Sequence, residues 1–183
     1  MNPLLLTLGL WQGTVLFRQH QERLIKYEAA SAYAESVGKP MLVVGGPLAR
    51  GSIRVLLRLP AHGWGDICLD IDPRACAGCS ECEVVEADIR DIPFSDKHFG
   101  AVFCSHVLEH MPTAVECERA IGELHRVAEA VYVCVPSKLS ITGWVGNGHK
   151  LWVRERADGS FEIEERRAWR QIAGSDPKIA LGS

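Results

Sequence analysis

The sequence predicts a doubly wound, Rossmann-like α/β domain, a three-layer sandwich with a mainly parallel sheet and a C-terminal antiparallel hairpin. Two observations lead to this prediction. Short apolar runs, of the kind that is buried on both faces of a sheet, alternate with segments of helical periodicity. Small, acidic or polar residues follow the first four runs, at the points where the loops of a parallel sheet begin.

The predicted strands are five apolar runs. These are residues 41–44, 67–69, 84–85, 101–104 and 131–135. Apolar residues recur at helical spacing in 16–36, 52–59 and 113–127, which predicts three helices. Asp158-Gly159 is a typical two-residue turn between alternating segments, so residues 150–165 are expected to form a hairpin.

The chain is expected to have three parts. Residues 1–15 form an apolar N-terminal segment, 16–165 the α/β domain, and 166–183 a polar C-terminal tail. The N-terminal segment lacks the run of about 18 apolar residues that a membrane-spanning helix needs. It is interpreted as packed or partner-facing, with contact to a membrane surface as the minor alternative.

Composition narrows the classes of partner and compartment. Of 183 residues, 47% are hydrophobic and 23% are charged, which is typical of one globular domain. Lys and Arg number 20 against 23 Asp and Glu, so no basic excess predicts a nucleic-acid partner. The seven cysteines are odd in number and follow no secretory signal, which favours a reduced, cytoplasmic setting.

Two carboxylates after neighbouring strands point to a nucleoside. Asp70 lies 25 residues after Gly45, near the spacing at which an acid after the second strand meets ribose hydroxyls. A carboxylate accepts two charge-assisted hydrogen bonds from a vicinal diol. Asp88 follows the third strand. The alternative for both residues is that they cap the next turn.

Residues 84–111 carry the strongest signal and read VVEADIRDIPFSDKHFGAVFCSHVLEHM. This stretch resembles the class I S-adenosylmethionine-dependent methyltransferases of the small-molecule type. Their pattern is an Asp, a Leu-Pro-Phe-like turn, a Phe-Asp-x-Val strand and then Val-Leu-Glu-His. The resemblance extends to the sequence ELHRV at 123–127 and covers about residues 20–137.

The resemblance implies S-adenosylmethionine as cofactor and a small molecule as methyl acceptor. The cofactor-binding residues that it implies are Gly45, Gly46, Asp70, Ile71, Asp88, Ile89 and Ser105. The glycines would lie beside the methionine portion, Asp70 would hold the ribose, and Ile71 would pack on the adenine. Asp88 and the backbone of Ile89 would read the adenine edge, and Ser105 would line the floor between cofactor and substrate.

His106 and His110 are the catalytic candidates, because a base is needed when the acceptor must lose a proton. The two are four residues apart and would share one side of a helical turn. A structural role is the alternative for each. His149, together with Trp144 and Trp152, is interpreted equally as a cap on the substrate pocket and as part of a hairpin that covers the core.

The chain departs from the family pattern in its first loop and in β-strand positions. Val43 stands where an acid is usual, Pro47 replaces a loop glycine, and Gly100 replaces an Asp. These changes motivate an alternative function, a catalytically impaired methyltransferase-like domain that binds a partner. A dinucleotide-dependent oxidoreductase is disfavoured, because the G-x-G-x-x-G fingerprint is missing.

Three closely spaced cysteines raise the question of a metal. Cys76, Cys79 and Cys82 could contribute to a zinc or iron–sulfur site, but such sites normally need four ligands. We therefore expect no metal here, and keep the cysteine site as the alternative.

Overall fold

The structure is a computed structural model that describes residues 3–47, 61–76, 79–145 and 148–166. The predicted helix at 52–59 and all but the first residue of the predicted tail lie outside the described residues. The other predicted elements fall within them.

A five-stranded parallel sheet with the order β3-β2-β1-β4-β5 forms the centre of the fold. Its strands are β1 (Met41–Val44), β2 (Ile67–Asp70), β3 (Glu83–Glu86), β4 (Phe99–Ser105) and β5 (Ala128–Cys134). The five predicted strands and the doubly wound class are confirmed. β5 begins earlier than predicted because Ala128 leaves the preceding helix directly in an extended conformation and pairs with Phe99.

Alternate residues of each central strand enter two different apolar clusters. In β1, Leu42 and Val44 face one cluster, whereas Met41 and Val43 face the other. β4 divides in the same way, with Val102 on the first face. Because successive side chains of a strand point to opposite faces, such a sheet needs a cover on both sides. This explains the three layers.

The helices are α1 (Pro3–Val37), α2 (Ala114–Val127) and the short α3 (Ile141–Val145), with 3-10 turns at Pro73–Cys76 and Leu108–His110. α1 runs unbroken past residue 15, so the expected N-terminal segment is the first part of this helix. Pro3 suits a first helical position, where no backbone donor is needed. No helix in the described part of the chain is long and apolar enough to cross a membrane.

The apolar side chains in the first turns of α1 are exposed. Leu4 is 74% exposed and Leu10 is 66% exposed, while Val15 is the first buried residue of the helix. Further along, Ala30 and Ala34 are buried against the sheet. The helix therefore covers the sheet with its C-terminal part and leaves apolar side chains exposed at its start.

α2 covers the opposite face. Thr113 caps it by accepting a hydrogen bond from the backbone N–H of Glu116 at 3.3 Å. Its buried residues, Cys117, Ala120, Leu124 and Val127, recur at helical spacing. The predicted hairpin packs on the same side: β6 (Leu151–Glu155) pairs antiparallel with β7 (Phe161–Glu165), and Leu151 and Val153 join the α2 cluster.

Two departures from the family pattern have local packing reasons. Val43 is fully buried in the apolar cluster under α1, an environment that disfavours a carboxylate. Gly100 lies under the end of α1, because a Cβ there would be 2.7 Å from Val37 Cγ2 and 2.9 Å from Ala34 Cα. The glycine lets the helix approach the sheet.

Arg126 at the end of α2 holds the loop that follows β3. Its guanidinium donates to the carbonyl of Ile92 at 2.9 Å and to that of Phe94 at 2.7 Å. Glu123 pairs with the same guanidinium and accepts from the backbone N–H of Ile92 at 3.0 Å. The Ile-Pro-Phe turn and the sequence at 123–127 are therefore two halves of one hydrogen-bonded clamp.

Arg126→Ala is expected to lower the free energy of unfolding by about 2–4 kcal/mol. The backbone carbonyls of Ile92 and Phe94 and the carboxylate of Glu123 would each lose a charged hydrogen-bond donor. Arg126→Lys should recover less than half, since an ammonium cannot span both carbonyls. Urea unfolding measures both, with the exposed Arg119→Ala on the same helix as control. Equal stabilities of Arg126→Ala and the control would contradict the clamp.

A buried histidine predicts acid sensitivity. His62 packs edge-on against Phe103, with ring centroids 4.9 Å apart, and burial lowers its pKa from 6.5 to about 4. Between these values the unfolded chain takes up a proton that the folded chain excludes. The stabilising contribution of neutral His62 is therefore fully present above pH 6.5. It is lost as the pH falls, and the free energy of unfolding decreases by roughly 2–3 kcal/mol at pH 4.5.

The free energy of unfolding, measured by urea titration from pH 7 to 4.5, should therefore decline. In His62→Phe the slope should flatten, whereas His98→Gln, at an exposed position, should keep the native slope. An unchanged slope in His62→Phe would show that other groups cause the acid sensitivity.

Candidate functional site

The strand order changes direction between β1 and β4, and the loops after these two strands meet at that point. Gly45 and Gly46 follow β1, while Ser105 ends β4 and His106 follows it. A Cβ on Gly45 would lie 2.6 Å from the carbonyl oxygen of Ser105. Ligands of open α/β sheets bind beyond the carboxyl ends of the strands at such a switch point.

The carboxylate of Asp70 joins the first loop to the end of β2. Oδ2 accepts from the backbone N–H of Gly46 at 3.0 Å, and Oδ1 accepts from that of Asp72 at 2.9 Å. Each oxygen thus accepts one hydrogen bond within the described chain. Because a carboxylate oxygen offers two lone pairs, each can accept one more bond, and the two together fit a vicinal diol.

The two loop glycines are required by contacts within the chain. Gly45 has φ +84°, which favours glycine, and a Cβ on it would also meet Val107 Cγ2 at 2.5 Å. A Cβ on Gly46 would lie 2.1 Å from the carbonyl oxygen of Ala75 in the following 3-10 turn. The loop is therefore packed between the ends of β2 and β4, and any side chain here would displace it.

Asp88 follows β3, the strand beside β2, as predicted, but its carboxylate is bound to Arg90. Oδ1 accepts from the backbone N–H of Arg90 at 2.8 Å, and both oxygens contact the guanidinium, which lowers the pKa of Asp88. Arg90 also pairs with Glu116 of α2. This arrangement is a turn cap, which is the alternative role that the sequence suggests for Asp88. Arg90 donates two hydrogen bonds to each oxygen, which occupies the lone pairs of this carboxylate.

The remaining predicted cofactor residues divide by exposure. Ile71 is 71% exposed directly after Asp70, so its side chain is available to an adenine. Ile89 is buried in the core cluster on the α2 side. Ser105 is buried at the end of β4, where it pairs with Cys134 of β5.

His106 is in the left-handed region, with φ +57°, directly after β4. Arg23 of α1 contacts its Nε2, and because a guanidinium can only donate, Nε2 accepts and Nδ1 carries the proton. Nδ1 lies 3.2 Å from Oε1 of Glu109. Both ring nitrogens of His106 therefore face partners within the protein.

The expected helical turn that places His106 and His110 on one side does not form. His106 precedes a 3-10 turn, and His110 at its end is exposed, with its ring 4.8 Å from that of His149. Glu109, between the two histidines in sequence, is fully buried. Glu109 is not among the site residues that the sequence predicts, although it lies in the Val-Leu-Glu-His stretch.

The environment of Glu109 decides its charge. Burial by itself raises the pKa of this carboxyl, but contact with His106 and the nearby charge of His110 outweigh it, and the pKa is lowered. His149 Nε2 lies 3.9 Å from Oε1. The end of β4 therefore holds an ionised carboxylate among three imidazoles.

Four of the seven cysteines interact in pairs in this structure. Cys79 and Cys82 form a disulfide, and Cys76 is hydrogen-bonded to Cys68, which raises the pKa of Cys76 and lowers that of Cys68. The zinc or iron–sulfur alternative at Cys76, Cys79 and Cys82 stays a prediction.

Two cavities of about 690 Å³ are lined by described residues, and both lie away from these strand ends. One lies between the end of α1 and the Cys79–Cys82 loop. The other is bounded by α1, β5 and the hairpin, with Lys26 and Trp152 in its wall. Asp70, Asp88 and His106 line neither of them.

Comparison with known proteins gives one family. Residues 48–130 match the sequence profile of the family described as methyltransferase domain. No curated protein sequence matches the chain.

Solved structures are similar at low identity. A complex with the Trm112 methyltransferase activator of Haloferax volcanii shows 19% identity and a TM-score of 0.35, covering 51% of this chain and 44% of that one. The N-methyltransferase NodS of Bradyrhizobium japonicum WM9, bound to S-adenosylhomocysteine, shows 18% and 0.36, covering 56% and 55%. A protein of Pyrococcus horikoshii OT3 shows 18% and 0.42, covering 79% and 71%.

The chain spans about half the length of the first two of these structures. The profile match falls on the part of the chain that contains β2 to α2, with Asp70, Asp88, Ser105 and His106, whereas β1 and the loop glycines precede it. Over residues 48–130 the chain is therefore similar to the methyltransferase domain family.

Proposed function

We propose that the chain transfers a methyl group from S-adenosylmethionine to a small-molecule acceptor. The observation that carries the proposal is the Asp70 carboxylate, which lies at the carboxyl end of β2, is bound to the first-loop amide of Gly46, and has two lone pairs left for a diol. The family match across residues 48–130 supports the methyl-transfer chemistry.

In this proposal the nucleoside end of the cofactor binds across β2 and β3. Asp70 accepts from both ribose hydroxyls, and the exposed Ile71 packs on the adenine face. Asp88 accepts from the adenine amino group, next to the backbone of Ile89, once the Arg90 guanidinium releases one of its two hydrogen bonds to Oδ2.

The methionine end would lie between the loops after β1 and β4. Gly45 and Gly46 let the backbone approach the ligand, and Ser105 forms the floor. The cofactor supplies a methyl group on a sulfonium, which transfers by in-line displacement. The protein mainly contributes proximity and alignment, because charge is dispersed rather than created in that step.

The two histidines would have different roles. His106 accepts from Arg23 at Nε2, and its Nδ1 faces Oε1 of Glu109 at 3.2 Å, so it positions the end of β4 rather than taking a proton from the acceptor. His110 is exposed and is the imidazole that an acceptor could reach. A base is required only for an acceptor that loses a proton.

A small-molecule acceptor is favoured over a nucleic acid by charge. The chain has a net charge of −3, and binding to phosphate backbones depends on clustered cations.

A second candidate function is a binding module without catalysis. The exposed apolar side chains at the start of α1 support it, together with Val43 and Pro47 in place of the usual acid and glycine. Gln12 fixes this part of α1 through hydrogen bonds with the backbones of Leu139 and Ile141. A partner would then bind an ordered helix.

Calorimetry with S-adenosylhomocysteine tests both candidates. The wild-type chain should bind one equivalent, and Asp70→Ala should bind about 5- to 150-fold more weakly, because a charged acceptor is worth about 1–3 kcal/mol. Asp70→Asn should lie between the two. The exposed Glu118→Ala on α2 removes the same charge and should bind as the wild type does.

Urea unfolding of each variant separates lost binding from lost folding, since Asp70 also holds Gly46. Wild-type protein that binds no S-adenosylhomocysteine would reject methyl transfer in favour of the binding module. Binding that is equal in the wild type and a folded Asp70→Ala would reject the ribose assignment.

A further inference from the structure

The carboxyl group of Glu109 is fully buried, and neither oxygen has a hydrogen-bond partner of good geometry in the described part of the chain. An ionised carboxylate in this condition is strongly unfavourable unless a cation or a set of donors compensates it. The imidazoles around it are therefore the groups to consider.

His149 presents a lone pair to this carboxylate. Its Nδ1 lies 3.1 Å from the carbonyl oxygen of Gly143, which can only accept, so Nδ1 carries a proton and the neutral ring has its lone pair on Nε2. Nε2 lies 3.9 Å from Oε1 of Glu109. A backbone carbonyl that fixes one ring nitrogen, and so orients the other, is the usual arrangement for a metal-binding histidine.

His110 completes a group of three. One ligand atom each from Glu109, His110 and His149 can be chosen so that all lie within 4.8 Å of one another. Donor atoms at about 2.1 Å from a tetrahedral zinc lie roughly 3.4 Å apart, so the widest of these separations must shorten by about 1.4 Å. His110 is exposed, and rotation of its side chain can supply much of that movement.

The backbone holds these residues together independently of any ion. The N–H of Lys150 donates to the carbonyl oxygen of Glu109 at 2.7 Å, which ties the start of β6 to the turn after β4. Arg166 donates to the carbonyl oxygens of Gly143 and His149 and so fixes the same segment from the other strand of the hairpin. The candidate ligands therefore lie on two anchored segments.

We propose that Glu109, His110 and His149 bind a divalent transition-metal ion, with His106 orienting the carboxylate. Two imidazoles and one carboxylate suit zinc and similar ions and leave a fourth position for water or a ligand oxygen. Magnesium and calcium prefer oxygen ligands and are not expected to bind. The proposal does not depend on methyl transfer.

The test uses Co²⁺ with the full chain, without an affinity tag and after removal of metals by chelation. Calorimetry should show one Co²⁺ per chain, and visible absorption should report its coordination. His149→Asn, His110→Asn and Glu109→Gln should each weaken binding at least tenfold. His125→Asn and His98→Asn, at exposed positions elsewhere, are the matched controls and should bind as the wild type does.

A cysteine site is excluded by Cys79→Ser combined with Cys82→Ser, which should leave Co²⁺ binding unchanged. Circular dichroism checks the fold of every variant; if Glu109→Gln does not fold, the two histidine variants decide. The proposal is overturned if Co²⁺ does not bind stoichiometrically, if both folded histidine variants bind normally, or if binding is lost in the cysteine variant. Mg²⁺ should give no heat at the same concentrations.

Discussion

The hydrogen bonds of the Asp70 carboxylate are the constraint on which the candidate site depends. Asp70 accepts from Gly46 in the first loop and from Asp72 in its own turn. Asp72 in turn accepts from the backbone and side chain of Arg74, which sets the 3-10 turn whose Ala75 lies against Gly46. The contacts close a ring around the end of β2. The same side chain that would hold a ribose therefore also shapes the loop beside it.

Features that depend on neighbours in sequence could be predicted. The apolar runs of β1 and β4 and the turn Asp158-Gly159 are local, and strands that alternate with helices predict right-handed crossovers and a parallel sheet. The motif that carries the resemblance also has a structural meaning that the sequence alone did not reveal. Arg126 explains why the Ile-Pro-Phe turn and the end of α2 occur together, because one side chain bonds both.

Features that depend on distant partners could not be predicted. Asp88 was interpreted as an adenine acceptor, but whether Arg90 turns back to bind it depends on Glu116 in another element. Glu109 and His149 meet only because the hairpin returns to the end of β4. The extension of α1 to Pro3 is a further example, because its first turns lack the buried stripe by which a surface helix is normally recognised in a sequence.

The most direct measurement of the central claim is a ¹H–¹⁵N NMR titration of the chain with S-adenosylhomocysteine. The backbone amides of Gly46 and Asp72 donate to Asp70, so a ribose bound to that carboxylate must perturb both signals. Gly65 precedes β2 and Gly100 lies near the start of β4, at the amino ends of the strands, so the amide signals of these two residues should not shift. Saturable shifts at Gly46 and Asp72 are the predicted result. Shifts elsewhere, with these two amides unmoved, would contradict the account.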